Sequence, residues 1–98
     1  MSWTFLTNHA HVLLTIARHP DMRMREIAGQ VGITERAAQR IVGDLVDEGY
    51  VARRKVGRRN EYTVNPEAPL RHPLSRDHEI GQILGVLGKN DPVDQRAA

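Results

Sequence analysis

The sequence has 98 residues, a formal net charge of +2 at pH 7, and 40% hydrophobic and 27% charged residues. These values are those of an ordinary globular domain, so we expect one domain with one modest core. The absence of cysteine excludes disulfides, thiolate metal sites and cysteine nucleophiles, and it suits a reducing cytoplasm. No apolar run approaches the roughly 18–20 residues that cross a bilayer, and the N-terminal stretch lacks the basic start of a signal peptide.

The charge is unevenly distributed along the chain. Residues 50–60, called here the basic segment, contain five of the 14 basic residues and none of the 12 acidic ones. The basic segment therefore carries +5 and the rest of the chain carries −3. The distribution therefore predicts one basic patch on a domain that is otherwise slightly acidic.

The first third of the sequence predicts two helices. Apolar residues at helical spacing favour a helix over about 8–18, with Asn8 as its N-cap and its end just before Pro20. Residues 22–24 form a short stretch that is compatible with a brief strand. A second helix is predicted over about 25–31, because its apolar residues lie on one face.

The third predicted helix has the clearest boundaries. Thr34 is its expected N-cap and Gly49 its C-terminal stop. At 100° per residue, one arc of this helix is apolar and must face the core: Ala38, Ile41, Val42 and Leu45. The opposite arc is polar or small and is expected to face solvent: Arg36, Gln39, Arg40 and Gly43, with Ala37 at its edge.

After Gly49 the hydrophobic period changes from helical to alternating. Residues 50–56 and 61–64 are β-prone runs around residues 57–60, which predicts a hairpin with a glycine-containing tip. A proline-containing connector follows at 65–74.

The C-terminal part predicts one more helix. Ser75 can cap a helix over 75–88, and residues 89–98 are expected to form a mobile tail. We therefore expect a single domain over 1–98, built on a unit of residues 1–64.

The second and third predicted helices form a helix-turn-helix pattern. Ala28 allows close helix approach, Gly32 supplies the backbone freedom of the turn, and Ile33 fills the angle between the helices. Residues 25–64, REIAGQVGITERAAQRIVGDLVDEGYVARRKVGRRNEYTV, resemble the winged helix-turn-helix transcription regulators, the group that includes the MarR and ArsR families. The resemblance implies a mainly α fold: a three-helix core, a β-hairpin wing and an additional C-terminal helix. It also implies DNA binding and a prokaryotic regulator of transcription.

The residue chemistry independently favours duplex DNA. A helix fits the major groove, where arginine pairs with guanine, glutamine with adenine, and a methyl group packs on thymine. A basic hairpin beside it would lie on the backbone or in the minor groove. The candidate DNA-binding residues of the helix are Thr34, Arg36, Ala37, Gln39 and Arg40. Those of the hairpin are Arg53, Arg54, Lys55, Arg58, Arg59 and Asn60.

The last predicted helix carries Gly81, Gly85 and Gly88 on one side, which destabilises it unless it packs against another element. We expect it to pair with its twin in a homodimer, as in ArsR-like regulators, and so to bind a palindromic site. The candidate interface residues are Trp3, Phe5, Leu6, Ile80, Gly81, Ile83, Leu84, Gly85 and Leu87. The alternative is that this helix folds back on its own domain.

Other functions receive less support from the sequence. His9 and His11 point about 200° apart on a helix and cannot share an ion, so no metal and no cofactor are expected. No nucleophile, base and acid arrangement is recognisable, so no enzyme is expected. The remaining alternative is a winged-helix module that binds a protein or RNA. The sequence leaves open the target site, the direction of regulation and any small-molecule effector.

Overall fold

The computed structural model describes residues 3–87. It contains four helices and two strands: α1 (Asn8–Arg18), α2 (Met24–Val31), α3 (Glu35–Asp47), β1 (Val51–Val56), β2 (Arg59–Val64) and α4 (Ile80–Leu87). The strands form one antiparallel hairpin, β1-β2. This arrangement confirms the predicted fold class, a three-helix core with a hairpin and a further helix.

One apolar core holds the three N-terminal helices together. α1 contributes Val12, Leu13 and Ile16, and α2 contributes Ile27. From α3 come the four residues of the predicted apolar arc, Ala38, Ile41, Val42 and Leu45, all buried. Since burying one such aliphatic side chain contributes about 1.5–3 kcal/mol, this packing determines how α3 is oriented.

The start of α1 differs from the predicted one. The N-cap is Thr7 and not Asn8, because the Thr7 hydroxyl oxygen accepts a hydrogen bond from the Ala10 amide at 3.2 Å. The helix itself runs from Asn8 to Arg18.

The predicted strand at 22–24 is wrong. Met24 already belongs to α2, and the Arg23 amide donates to the Glu26 carboxylate at 3.0 Å, which closes the start of that helix. The segment before it forms a turn. A backbone hydrogen bond joins this turn to the hairpin, from the Tyr62 amide to the Pro20 carbonyl at 3.2 Å.

The hairpin tip is shorter than predicted. Val56 pairs directly with Arg59, so the turn consists of Gly57 and Arg58 alone. Gly57 has a φ of 65° and Arg58 a negative φ, the sign pattern of a type II′ turn, which suits the twist of a hairpin. Arg59 and Asn60 therefore belong to β2 and not to the tip.

The last helix also begins later than predicted. Residues 71–78 form bends and turns, and Glu79 forms an isolated β-bridge with Pro69. α4 starts at Ile80, where the Gln82 side-chain oxygen accepts a hydrogen bond from the Glu79 amide at 3.0 Å. Ser75 therefore does not cap this helix. The predicted end at Gly88 and the predicted tail at 89–98 lie outside the described residues.

The connector is held against the core by hydrogen bonds. The Tyr50 hydroxyl donates to the Pro69 carbonyl at 2.7 Å. Burial raises the pKa of Tyr50, and the nearby Arg71 guanidinium partly opposes that rise. The Ile80 amide donates to Ala68 and the Gly81 amide to Pro66, each at 2.8 Å. These bonds place the start of α4 against its own chain.

Two glycines of α4 provide a matched test of this packing. A Cβ at Gly81 would lie 2.8 Å from the Pro66 carbonyl oxygen, whereas a Cβ at Gly85 would meet nothing within 4 Å. We expect Gly81→Ala to lower the free energy of unfolding by about 1–3 kcal/mol. We expect Gly85→Ala to raise it by up to about 1 kcal/mol through helix propensity. Urea denaturation followed by circular dichroism measures both, and equal effects would contradict the packing.

Candidate nucleic-acid interface

The turn between α2 and α3 places α3 in a defined position. Gly32 has a φ of 86° and its amide donates to the Ala28 carbonyl at 2.8 Å, which ends α2. Glycine adopts this left-handed conformation without steric cost. Two residues later the Thr34 hydroxyl oxygen accepts from the Ala37 amide at 3.1 Å and starts α3. Ile33 lies between them, packed against the core.

The outward side of α3 carries Arg36, Gln39 and Arg40, called here the polar face. All three are exposed, and Ala37 is half-buried at its edge. Within residues 3–87, none of the three forms a salt bridge or a side-chain hydrogen bond. Their donors and acceptors are therefore available to a partner molecule.

The hairpin presents most of its cations without neutralising partners. Arg54 is paired with Glu61 across the strands at 2.9 Å, so its charge is compensated locally. In the part of the chain that the structure describes, Arg53, Lys55 and Arg58 have no carboxylate partner. The positive potential of the basic segment therefore comes mainly from the unpaired side chains.

A groove of about 600 Å³, called here the basic groove, joins α3 to the hairpin. From α3 it is lined by Gln39 and Val42. From the hairpin it is lined by Arg53, Arg58, Arg59, Asn60 and Tyr62. Arg23 and Asp21, from the turn before α2, form part of its remaining wall.

The structure thus unites some of the predicted DNA-binding residues and separates others. Five of the eleven line the basic groove, and six lie outside its lining: Thr34, Arg36, Ala37, Arg40, Arg54 and Lys55. Arg59 has an internal partner, since its guanidinium donates to the Asp21 carbonyl. Arg23 and Asp21 were not predicted from the sequence. The basic residues Arg23 and Arg25, at the start of α2, were the available signal.

A different part of the surface, around the C-terminal end of α3, is rich in acidic residues. A second cavity of about 390 Å³ is lined by His9, Asp44, Leu45, Asp47, Glu48, Tyr50 and Arg71. His9 bonds to Asp44 at 2.8 Å, and Arg71 lies 3.5 Å from Glu48. Over residues 3–87 no group of three His, Cys, Asp or Glu side chains is placed to hold a metal ion. Among the same residues, no helix has both the length and the apolar character needed to cross a bilayer.

The predicted interface residues divide into two groups. Ile80 and Gly81 pack within their own chain, and Ile83, Leu84 and Leu6 are half-buried. Trp3 and Phe5 are 61% and 92% exposed and form an edge-to-face aromatic pair with centroids 5.2 Å apart. Gly85 and Leu87 are also exposed. These four exposed residues are the part of the predicted interface that a second copy of the chain could contact.

The helix-turn-helix, the following hairpin and the basic groove between them define a winged helix-turn-helix domain. Residues 4–59 match the MarR family, and the chain belongs to that family. MarR-family proteins are transcription regulators that bind DNA, so this chain is a DNA-binding regulator of transcription. No curated protein matches the chain.

A comparison of structures agrees with the fold. The chain is similar to CymR (YrzC), described as the global cysteine regulator of B. subtilis, with 17% sequence identity and a TM-score of 0.50. The match covers 97% of this chain and 80% of the other. This likeness supports the winged-helix architecture.

Proposed function

We propose that the chain binds duplex DNA sequence-specifically as a homodimer, with α3 in the major groove and the hairpin as a wing on the backbone or minor groove. The observation that carries this proposal is the basic groove, where Gln39 of α3 and unpaired cations of the hairpin line one concave surface. One duplex lying against this surface would meet a base-reading helix and phosphate-binding side chains together.

The polar face has the chemistry of direct base recognition. In the major groove arginine donates two hydrogen bonds to guanine, and glutamine makes two hydrogen bonds with N6 and N7 of adenine. Arg36, Gln39 and Arg40 lie in the N-terminal half of α3, the part of a recognition helix that approaches base edges. Ala37 is small enough to allow this approach and to contact a thymine methyl group.

Thr34 and the wing fit contacts with the phosphate backbone. The Thr34 oxygen accepts the bond that caps α3, and its hydroxyl proton stays free to be donated to a phosphate. Arg58 lies in the turn at the far end of the hairpin, and Arg53 and Lys55 lie on β1, the strand that leads to this turn. Cations at these positions would neutralise phosphates and release condensed counterions.

A homodimer would present two copies of α3 to one duplex. Two-fold symmetry would place them on half-sites about 34–36 Å apart, one turn of DNA. Support for self-association comes from the exposed aromatic pair Trp3 and Phe5 and from the exposed end of α4, at Val86 and Leu87. Aromatic side chains are enriched at the cores of protein interfaces.

Selection of bound sites from random duplex DNA, followed by salt titration, tests the DNA assignment. We expect enrichment of a palindromic site and a slope of log K against log salt steeper than about −2.7, the value for three phosphates. Duplex RNA of the same sequence should bind much more weakly, because its deep, narrow major groove excludes a helix. Absence of any enriched DNA sequence would contradict the proposal and favour an RNA or protein partner.

Substitutions on the polar face test base recognition. Gln39→Ala or Arg40→Ala should relax preference at particular base pairs, because removing one good side-chain bond to a base costs about 1–3 kcal/mol of discrimination. Arg54→Ala is the matched control, since the Arg54 charge is compensated by Glu61, and it should leave base preference unchanged. Competition binding against a panel of single-base variants measures all three. An unaltered preference profile for both α3 variants would show that another face reads the bases.

Light scattering coupled to size exclusion tests the dimer. At micromolar concentration we expect twice the 11.1 kDa mass of one chain. The double variant Trp3→Ser, Phe5→Ser should shift the mass toward that of a monomer, because it removes exposed apolar area. Leu74→Ser, at a residue that is 89% exposed in the connector, is the control. A monomer mass for the unmodified protein would refute the homodimer.

A further inference from the structure

We propose that Arg59 is a positioning residue: its side chain links the wing to the turn between α1 and α2 and thereby holds the wing at its place beside α3. This inference rests on the proposed function, because the wing would contact DNA only when it is held beside α3. It assigns to Arg59 a role different from the phosphate contact that its basic character predicts.

The backbone shows where the wing is attached. Val56 and Arg59 flank a two-residue turn and form a hydrogen-bonded pair. Because cross-strand pairs of a hairpin alternate between hydrogen-bonded and non-hydrogen-bonded, Arg53 and Tyr62 form a pair that is not hydrogen-bonded. The Tyr62 amide therefore points away from β1, and it donates to the Pro20 carbonyl at 3.2 Å. Within the described residues, this is the one backbone hydrogen bond between the wing and that turn.

Arg59 supplies a second attachment three residues earlier on the same strand. Its guanidinium donates to the carbonyl of Asp21, the residue directly after Pro20. Two neighbouring carbonyls thus accept hydrogen bonds from two points of β2. A single bond leaves a strand free to pivot, whereas two bonds separated along the strand restrict its angle to the helices.

Arg58 provides the contrast that isolates this role. It has the same side chain, lies next to Arg59 and lines the same basic groove. In the part of the chain that the structure describes, Arg58 makes no side-chain hydrogen bond and no ion pair, whereas Arg59 has an internal acceptor. The two arginines therefore differ in the availability of the guanidinium and not in charge.

The acceptor is a main-chain atom, which supplies a further control. The Asp21 carboxylate takes no part in the bond, so Asp21→Ala leaves the acceptor in place. Asp21 is also the one acidic residue among those described along the basic groove. Its removal should strengthen DNA binding, because it takes away a negative charge near the phosphates.

Two measurements on the full chain, with Arg58→Ala, Arg59→Ala, Arg59→Lys and Asp21→Ala, test the proposal. The first is hydrogen exchange of the Tyr62 amide in the free protein, and the second is affinity for the selected duplex across a salt series. Arg59→Ala should accelerate exchange of the Tyr62 amide and weaken DNA binding, each by about threefold to tenfold. It should change the slope of log K against log salt by less than half as much as Arg58→Ala does. Arg58→Ala should reduce the salt slope by about 0.9 per phosphate contact and leave exchange unchanged.

The variants also define the results that would overturn the proposal. Equal reductions of the salt slope for Arg58→Ala and Arg59→Ala, with unchanged Tyr62 exchange, would make Arg59 a phosphate contact. Faster exchange with unaltered affinity would show that the link does not serve binding. Arg59→Lys keeps one donor and the charge, so it should restore most of both properties. If the unmodified protein bound no duplex, the proposed function would fail, while the exchange data would still decide whether the link exists.

Discussion

The architecture depends on the burial of one side of α3. Ala38, Ile41, Val42 and Leu45 recur at helical spacing and pack against α1 and α2. Because an α-helix has 3.6 residues per turn, burying this side turns Arg36, Gln39 and Arg40 outward. The helix that would contact DNA is thus held by its apolar side, and its polar side is left free.

Charge segregation follows from the same arrangement. Gln39, in the N-terminal half of α3, lines the basic groove together with the hairpin cations, whereas Asp44, Asp47 and Glu48 lie toward the C-terminal end of α3. There Arg71 lies 3.5 Å from Glu48 and partly compensates its charge, and His9 forms a hydrogen bond with Asp44 at 2.8 Å. A polyanion would be attracted to the basic side and repelled from the acidic one. The net charge of +2 therefore conceals two surfaces of opposite sign.

The helix-turn-helix could be predicted because its determinants are local in sequence. Thr34 caps α3 and Gly32 adopts a positive φ, as these residue types favour. The prediction was wrong at two other places. Residues 22–24 do not form a strand, because Met24 already belongs to α2 and the backbone hydrogen bond from Tyr62 of the hairpin reaches Pro20, outside this segment. The helix predicted from Ser75 begins at Ile80, where Gln82 caps it and the connector binds its first turn.

By itself the sequence determined the faces of the helices, the position of the hairpin and the location of the basic segment, because periodicity, caps and charge are properties of neighbouring residues. Only the tertiary structure decided which cations are free. Arg54 is paired with Glu61, Arg59 is bonded to the turn that contains Asp21, and Arg58 is left unpaired among the residues described. It also decided that Gly81 lies against Pro66. These differences arise from contacts between residues far apart in the chain, or on facing strands, so residues of one chemical type acquire different roles.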